Sequence, residues 1–457
     1  MAEDLVALIM AAGRGTRMRS ATPKVLHPLC GRPMVEWVIG AAREAGAARV
    51  ICVTRPDDGV AEHLPDGVEV VEQREGEGTG AAVLAARDVV AGAGAVAILS
   101  GDHPLIGSEA LAALTAAHRR EGAAATLLTT TALDPAGYGR IVRNPDGSVA
   151  RIAETKHVED ATAEELSIRE VNLGTYVFDA GALFAALDAV EEERGELFLT
   201  AALPRIAAQG GSLATHLTDD ASAAVGVNDR VALMQAEAIA RRRILEGHAR
   251  AGVTFTAPET AVIEADVELG EDSVIEANVT LRGTTRTGRG CRVGPAVTAT
   301  DAVLHDSVAV LHAVLLDCEV HDGASVGPFA YLRPGAEIGP GAKVGTYVEV
   351  KNARIGAGAK VPHLSYLGDA EVGEGANIAA GNITANYDGF AKHRTEIGGG
   401  AKTGVNTSFV APVRVGEGAY TGAGSVITED VPDGALGIAR SKEKNVEGYA
   451  DRVEDSK

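Results

Sequence analysis

The chain has 457 residues, too many for one ordinary core and enough for two or three domains. Lys and Arg total 42 against 63 Asp and Glu, a formal net charge of −21; so acidic a surface repels nucleic acid and anionic lipid, and any anionic substrate needs local basic residues. The four cysteines, Cys30, Cys52, Cys291 and Cys318, form no CxxC pair, which argues against a disulfide framework or zinc knuckle and fits a reduced, cytoplasmic setting.

The first apolar run, Leu5 to Ala12, reads as a buried parallel strand, too short to span a bilayer and followed by a glycine-rich turn rather than a cleavage site. Met34 to Ala45 reads as a helix, Arg49 to Thr54 as a strand, Thr79 to Val90 as a helix and Ala95 to Ser100 as a strand. The alternation predicts an open α/β sheet. Directly after the first strand comes Ala11-Ala12-Gly13-Arg14-Gly15-Thr16-Arg17-Met18. Glycines there let the backbone approach a phosphate chain, which the amides of a turn or helix start can bind. Any βα turn can carry glycines, but Arg17 and Lys24 add positive charge within reach. Asp102 follows the strand Ala95 to Ser100, at the carboxyl end where open α/β sheets place ligands. A carboxylate there can hold Mg²⁺ against reacting phosphates, or only cap the next helix; the neighbouring glycine turn favours the metal.

From Asn228 to His248 the pattern is that of one amphipathic helix, with Asn228 and Asp229 as caps, Val231, Met234, Ala238 and Leu245 on one face and Gly252 as the stop. Beyond it Val308, Val314, Val320, Val326, Leu332, Ile338, Val344 and Val350 fall six residues apart. Leu269, Ile275, Leu281 and Val293 keep that spacing before them, with Thr287 in the gap, and Ile397, Phe409, Val415 and Ile427 resume it later, with Thr403 and Thr421 between. A period of six means a short strand and a turn per repeat, one side chain inward each time, and three turns closing a triangular parallel β-helix. The 55 glycines and 4% aromatics suit such a coil better than a compact aromatic core. The domains expected are 1–228, a linker helix 229–251, and 252–457, with a charged, mobile tail from Ser441.

The regular coil is interrupted at Asn386-Tyr387-Asp388-Gly389-Phe390-Ala391-Lys392-His393-Arg394, and a loop thrust from a solenoid often lines a binding site. His363 lies one coil earlier. An imidazole can take the proton as an amine attacks a thioester carbonyl, and a carboxylate on its other nitrogen, for which Glu349 is the candidate, would fix its tautomer. A lone histidine is also a common exposed turn residue.

Gly-x-Gly-Thr-Arg-Met with Pro23-Lys24 resembles the signature of sugar-nucleotide pyrophosphorylases. Over nearly its whole length the chain resembles the bacterial bifunctional N-acetylglucosamine-1-phosphate uridylyltransferases and glucosamine-1-phosphate N-acetyltransferases. The resemblance implies a Rossmann-like nucleotidyltransferase domain, a linker helix and a left-handed parallel β-helix of hexapeptide repeats. Met10, Ala11, Ala12 and Gly13 would embrace the nucleotide, with Ser100 and Gly101 beside it and Lys24 on its phosphates. Gln73 would read the uracil edge, and Gly78 and Thr79 pack on the base. Asp102 and Asn228 would hold Mg²⁺, and Gly139, Glu154 and Asn172 the sugar and ribose. In the back half His363 would be the base. Arg333 and Lys351 would bind the sugar phosphate, Tyr366 and Asn377 the sugar, and Asn386, Tyr387 and Lys392 line the acetyl site. Ala380, Val405, Ala423 and Arg440 would lie along acetyl-CoA. UTP and acetyl-CoA are the implied co-substrates, and a homotrimer sharing its acetyl sites the implied assembly. Gln73 and Asn172 could equally be loop residues and Asn228 only a cap.

Two departures stand out. The family pattern Glu-Tyr-Tyr-aliphatic-Thr-Asp is Glu196-Leu197-Phe198-Leu199-Thr200-Ala201 here, and the serine after Gly404 is Val405. Valine cannot donate a hydrogen bond, so acetyl transfer is expected to be reduced, unless Asn406 or Thr407 substitutes. The alternatives to a bifunctional enzyme are a nucleotide-sugar pyrophosphorylase with a non-catalytic β-helix scaffold and a non-catalytic assembly module.

Overall fold

The computed structural model describes residues 5–155, 161–192 and 195–454. Of the tail expected from Ser441, Tyr449–Glu454 form a short exposed helix, and residues 455–457 lie outside the described residues. The chain forms two compact units, Met1–Arg242 and Arg243–Lys457. Among the described residues no helix is long and apolar enough to cross a membrane.

In the first unit the strands lie in the order Leu213–Leu217, Ala125–Thr130, Val171–Asp179, Ala95–Ser100, Leu5–Met10, Arg49–Thr54 and Val68–Glu72. Neighbours are parallel except where Val171–Asp179 runs against both of its partners. Arg140–Arg143 pairs with Val149–Ala153 and joins this sheet at Val171. Leu5–Met10 sits between two parallel strands and is buried on both faces, which is why it reads as an unbroken apolar run. Its alternate side chains enter two cores: Leu5, Ala7 and Ile9 join Val35, Val38 and Ile39, whereas Val6 and Leu8 join Val83, Val90 and Ile98. The predicted helix Thr79 to Val90 is two, Thr79–Ala85 and Arg87–Val90, parted at Ala86.

The helix Arg230–Arg250 carries the chain into the second unit. Asp229 caps it, its Oδ1 accepting from the Ala232 N–H at 2.9 Å. Gly252, at φ 94°, follows it, and the Val253 N–H returns to the His248 carbonyl. The expected apolar face is corrected: Val231 and Met234 are 59% and 66% exposed, while Ala236 and Ala240 are buried. Leu245 of the expected face is buried as foreseen, but nearer the helix start small side chains make the packed stripe, and a pattern keyed to large apolar residues misses it.

The second unit is a three-sided left-handed β-helix built from parallel sheets of seven, ten and nine strands. Ile275 pairs with Val293, 18 residues on, and Val310 with Val326, 16 on. The inward aliphatic residues form one continuous core from Ile263 to Val431. Thr287, Thr403 and Thr421 fill their expected inward positions and are buried. Val314 does not: it is 41% exposed, and Leu315 points inward against Leu332. Leu304, Val310, Leu315 and Val320 are the inward ladder residues here, so two short sides leave the six-residue series two positions short at Val308, where Val310 holds the place, and one short at Val314, before the two agree at Val320.

Close approach between coils fixes glycine at some corners. A Cβ on Gly345 would lie 2.0 Å from the Pro362 carbonyl oxygen, which is backbone and cannot swing away. Gly345→Ala is expected to destabilise the solenoid by about 1–3 kcal/mol through overpacking, read as a lower guanidinium midpoint at unchanged slope.

Two candidate active sites

In the first unit the turn after Leu5–Met10 wraps a lysine. Gly15 has φ 58°, and a Cβ there would come within 2.6 Å of Lys24 Cβ; a Cβ on Gly13 would make only ordinary contact with the Lys24 ammonium, at 3.8 Å. Lys24 Nζ is paired with Asp102 Oδ2 and donates to Asn228 Oδ1 at 3.2 Å. The Lys24 and Asp102 side chains are only 11% and 13% exposed. Arg17 Nη2 also reaches Asn228 Oδ1, at 3.0 Å, and the Ser100 hydroxyl donates to Asp102 Oδ1 at 2.6 Å. Burial pushes the Asp102 carboxyl up, but the His103 and Lys24 charges and the hydrogen bonds from Lys24 and Ser100 outweigh it and hold the group below the usual carboxylate range. Asn228, just ahead of the Asp229 cap, therefore faces the cations. The Val227 N–H donates to the Asp102 carbonyl at 2.8 Å and brings that segment alongside.

Of these residues Ser100, His103 and Asn228 line a cavity of about 510 Å³, of the size that holds a small-molecule ligand; Lys24 and Asp102 stand behind that lining. Met10, Gly78, Thr79, Ser100, Gly139, Glu154, Asn172 and Asn228 line it. Gly101 abuts Met10, its N–H on the Met10 carbonyl at 2.9 Å. Ala11 and Ala12 are buried in the turn, and the Ala12 carbonyl accepts from Arg55 Nε at 2.6 Å. Arg55 and Arg14 both hold Glu77. Gln73 lies apart from the cavity lining: it is buried, and its Nε2 donates to the Gly76 carbonyl at 3.0 Å. Asn172 Nδ2 donates to the Tyr176 hydroxyl at 2.7 Å, and the Thr200 hydroxyl donates to Glu154 Oε1 at 3.2 Å. Burial raises the Tyr176 phenol well above its ordinary range, so it stays a protonated donor. His103 and Tyr176 line the cavity unforeseen, although His103 directly follows Asp102; Glu196, Phe198, Leu199 and Thr200 of the departing motif line it too. Of the departing residues, Leu197 lies against Gly78 and Gly80, where its carbonyl takes the Gly80 N–H at 2.8 Å, while Phe198 sits in the wall.

In the second unit the register aligns residues far apart in sequence. Thr346 pairs with His363; Lys360, Asn377, Lys402 and Tyr420 pair in turn, so three residues further on His363, Ala380, Val405 and Ala423 occupy one file across successive coils. The backbone follows it: the N–H groups of Gly381, Asn406 and Gly424 donate to the carbonyls of His363, Ala380 and Val405 at 3.2, 2.8 and 2.8 Å. His363, Val405 and Ala423 are exposed, and Arg440 is exposed beyond the last coil. Thr407, offered above as a replacement donor, is buried with its hydroxyl on the Gly404 carbonyl at 2.9 Å, so it cannot serve a ligand in that file.

Beside the file stands a cationic group. Glu349 pairs in register with Tyr366 and accepts from Arg333 Nη1 at 2.8 Å. It makes no hydrogen bond to the His363 ring among the described residues, which corrects the expected partnership: the two belong to different sheets, and Arg333, one coil earlier on Glu349's own sheet, takes the carboxylate. Lys392 is held below the ordinary lysine range by the adjoining Lys351 ammonium, against the pull of Asp369. Two ammonium groups so close favour an anion between them. Asp369 is the organising residue that the sequence reading missed. It is buried, accepts from Asn352 Nδ2 at 2.6 Å and from Asn386 Nδ2, and thereby anchors the loop. Burial pushes its carboxyl up, but those two hydrogen bonds and the Lys351 and Lys392 charges hold it low. Asp388 shapes the loop tip by accepting from the Phe390 and Ala391 N–H groups at 2.8 Å, and Tyr387 is 61% exposed. All four cysteines are buried and none forms a disulfide, and burial pushes Cys52 and Cys318 up to about 12, so neither offers a thiolate nucleophile.

The first unit is of the nucleotidyltransferase class: residues 7–206 match the MobA-like NTP transferase domain. The second matches the bacterial transferase hexapeptide family over residues 317–352. The chain is 44% identical over 461 aligned residues to the bifunctional protein GlmU of Mycolicibacterium vanbaalenii, covering 98% of this chain and 93% of that protein. It is 44% identical over 447 residues to that of Shouchella clausii (97% and 98%), and 44% over 452 to that of Caldanaerobacter subterraneus (98% and 98%). The chain belongs to the bifunctional GlmU family.

Proposed function

We propose that the chain makes UDP-N-acetylglucosamine in two steps: acetyl transfer from acetyl-CoA to glucosamine-1-phosphate, then uridylyl transfer from UTP to N-acetylglucosamine-1-phosphate. The observation that supports this reading is that each unit gathers its own polar cluster, Lys24, Asp102 and Asn228 beside a glycine turn in one, and in the other Lys351 and Lys392 around Asp369, with His363 heading an exposed file. In the first step the sugar amine attacks the thioester carbonyl, His363 takes its proton, and the coenzyme A thiol leaves. Arg333, Lys351 and Lys392 hold the sugar phosphate and the loop, with Asn377, Asn386, Tyr366 and Tyr387 on the sugar and acetyl group. Ala380, Val405, Ala423 and Arg440 line the cofactor's path.

In the second step a phosphate oxygen of the acetylated sugar attacks the α-phosphorus of UTP, and pyrophosphate leaves. Both partners are anions, so the work is alignment and charge neutralisation. Lys24 and Arg17 face the phosphates, Gln73, Gly78 and Thr79 the base, and Gly139, Glu154 and Asn172 the sugars. Asp102 and Asn228 already share one cationic group, the Lys24 ammonium, between two hard oxygens, and such donors fit Mg²⁺. Bound there, Mg²⁺ draws charge from the reacting phosphates. The reading includes a cytoplasmic homotrimer with the acetyl site completed by a neighbouring copy, for which light scattering gives the mass.

Chelation separates the steps. EDTA is expected to abolish pyrophosphate release while thiol release continues; loss of both together would contradict the assignment of metal to one site. Val405, 46% exposed in the His363 file, leaves the position without a hydroxyl. Val405→Ser is expected to raise kcat for acetyl transfer about 2–10-fold, the value of one net hydrogen bond, at unchanged uridylyl transfer.

A further inference from the structure

On another side of the β-helix lies an arrangement that neither proposed reaction uses. His305 and His321 hold equivalent positions on consecutive coils, set by the pairing of Leu304 with Val320. Their rings stack with centroids 4.7 Å apart and planes 20° from parallel. Both Nε2 atoms face the same carboxylate oxygen, Glu319 Oε1, at 2.7 Å from His305 and 3.9 Å from His321. Glu337, which pairs with Glu319 one coil on, brings its Oε1 to 3.4 Å from His321 Nε2. Arg354 Nε lies 3.4 Å from that same Glu337 oxygen. The ligand atoms of His305, Glu319 and His321 all lie within 4.8 Å of one another, and no other three His, Cys, Asp or Glu side chains among the described residues converge so closely.

We propose that His305, His321 and Glu319 form a binding site for a late first-row divalent cation, Zn²⁺ foremost, through the two imidazole Nε2 atoms and one carboxylate oxygen. Two imidazoles and a carboxylate select such ions over Mg²⁺, which prefers oxygen alone. At zinc bond lengths near 2.0–2.1 Å, tetrahedral ligand atoms sit about 3.3 Å apart. The 2.7 and 3.9 Å separations straddle that value, so small side-chain rotations bring the three atoms onto one ion. The backbone under them is held by ladders to the coils on either side, and the neighbouring Leu304 and Val320 are anchored in the core. His305 and Glu319 are 39% and 46% exposed, which leaves the fourth position to water. Glu337, beside Arg354, brings its Oε1 toward the same His321 Nε2 and stands as an alternative carboxylate ligand. An imidazole ligates through an unprotonated nitrogen, so metal and proton compete for each Nε2.

The test uses the full chain freed of metal by dialysis. Zinc bound after re-dialysis is counted by mass spectrometry, and Co²⁺ is followed by visible absorption and X-ray absorption fine structure. Expected are one Zn²⁺ per chain, a four-coordinate Co²⁺ spectrum with two imidazole scatterers, and loss of both in His305→Ala/His321→Ala. That variant should keep pyrophosphate release from N-acetylglucosamine-1-phosphate. Asp102→Asn should retain zinc, separating the site from the proposed Mg²⁺ ligands. Wild type that retains no zinc, zinc retained by the double variant, or fine structure without imidazole would each overturn the proposal; the last reads wild type alone and holds even if the variant does not fold.

Discussion

Lys24→Ala is expected to lower pyrophosphate release about 10²–10³-fold, the usual loss when one preorganised electrostatic group is removed from a reacting centre, while thiol release stays at the wild-type rate. The ammonium is enclosed by the glycine turn, paired with Asp102 and bonded to Asn228. Removing it also strips a buried carboxylate of its partner, so burial, which pushes Asp102 up, meets less opposition. The sign follows directly. A carboxyl held low in the folded protein contributes stability above its unfolded pKa and loses it as pH falls through the folded value. In Lys24→Ala the folded value moves toward the unfolded one, so less acid-labile stability remains, and its loss is complete at higher pH than in wild type. Thermal midpoints across the acid range check the direction: a variant midpoint that falls with acid as far and over the same pH span as wild type's would show that Lys24 does not control Asp102.

His363→Ala is expected to lower kcat for thiol release about 10²–10⁴-fold, the contribution of a positioned general base, and to leave pyrophosphate release from added N-acetylglucosamine-1-phosphate unchanged. His363 ends the strand Lys360–His363 with its side chain exposed and heads the file of Ala380, Val405 and Ala423. Its ring carries no structural hydrogen bond among the described residues, and the strand beneath is held by its neighbours, so the fold should survive the change. A His363→Ala protein that releases thiol at more than a tenth of the wild-type rate would remove His363 from the role of base.

What could be read from the sequence, and what could not, divides along the range of the interactions. The sheet was legible because strands buried on both faces, such as Leu5–Met10, are continuous apolar runs. The β-helix was legible because each inward residue recurs after one short side, and the slip at Val314 arose where one coil takes 16 residues rather than 18. The helix Arg230–Arg250 was found, but its buried stripe of Ala236 and Ala240 was not, since alanine gives little hydrophobic contrast. At the sites, a turn with glycines and a following lysine is a local signal. The alignment of His363 with Ala380, Val405 and Ala423 is not local, because the loop 386–394 lengthens one coil and breaks the count. Asp369 was missed for the same reason: its partners Asn352 and Asn386 stand on different coils and only the register brings them together. Glu349 shows the converse error: stacking of coils was expected to set it on His363, but the two lie on different sheets and stacking within Glu349's own sheet gives Arg333.

The central claim is that one chain carries two separate transferase sites, and a coupled assay on the unmodified protein tests it most directly. Glucosamine-1-phosphate, acetyl-CoA, UTP and Mg²⁺ are supplied together while free thiol and pyrophosphate are followed, and N-acetylglucosamine-1-phosphate is then supplied alone with UTP and Mg²⁺. The account predicts thiol followed by pyrophosphate in the first mixture, and pyrophosphate without thiol in the second. Pyrophosphate from the acetylated sugar with no thiol from glucosamine-1-phosphate would contradict it, and would reduce the β-helix, with Val405 in its acyl file, to a scaffold.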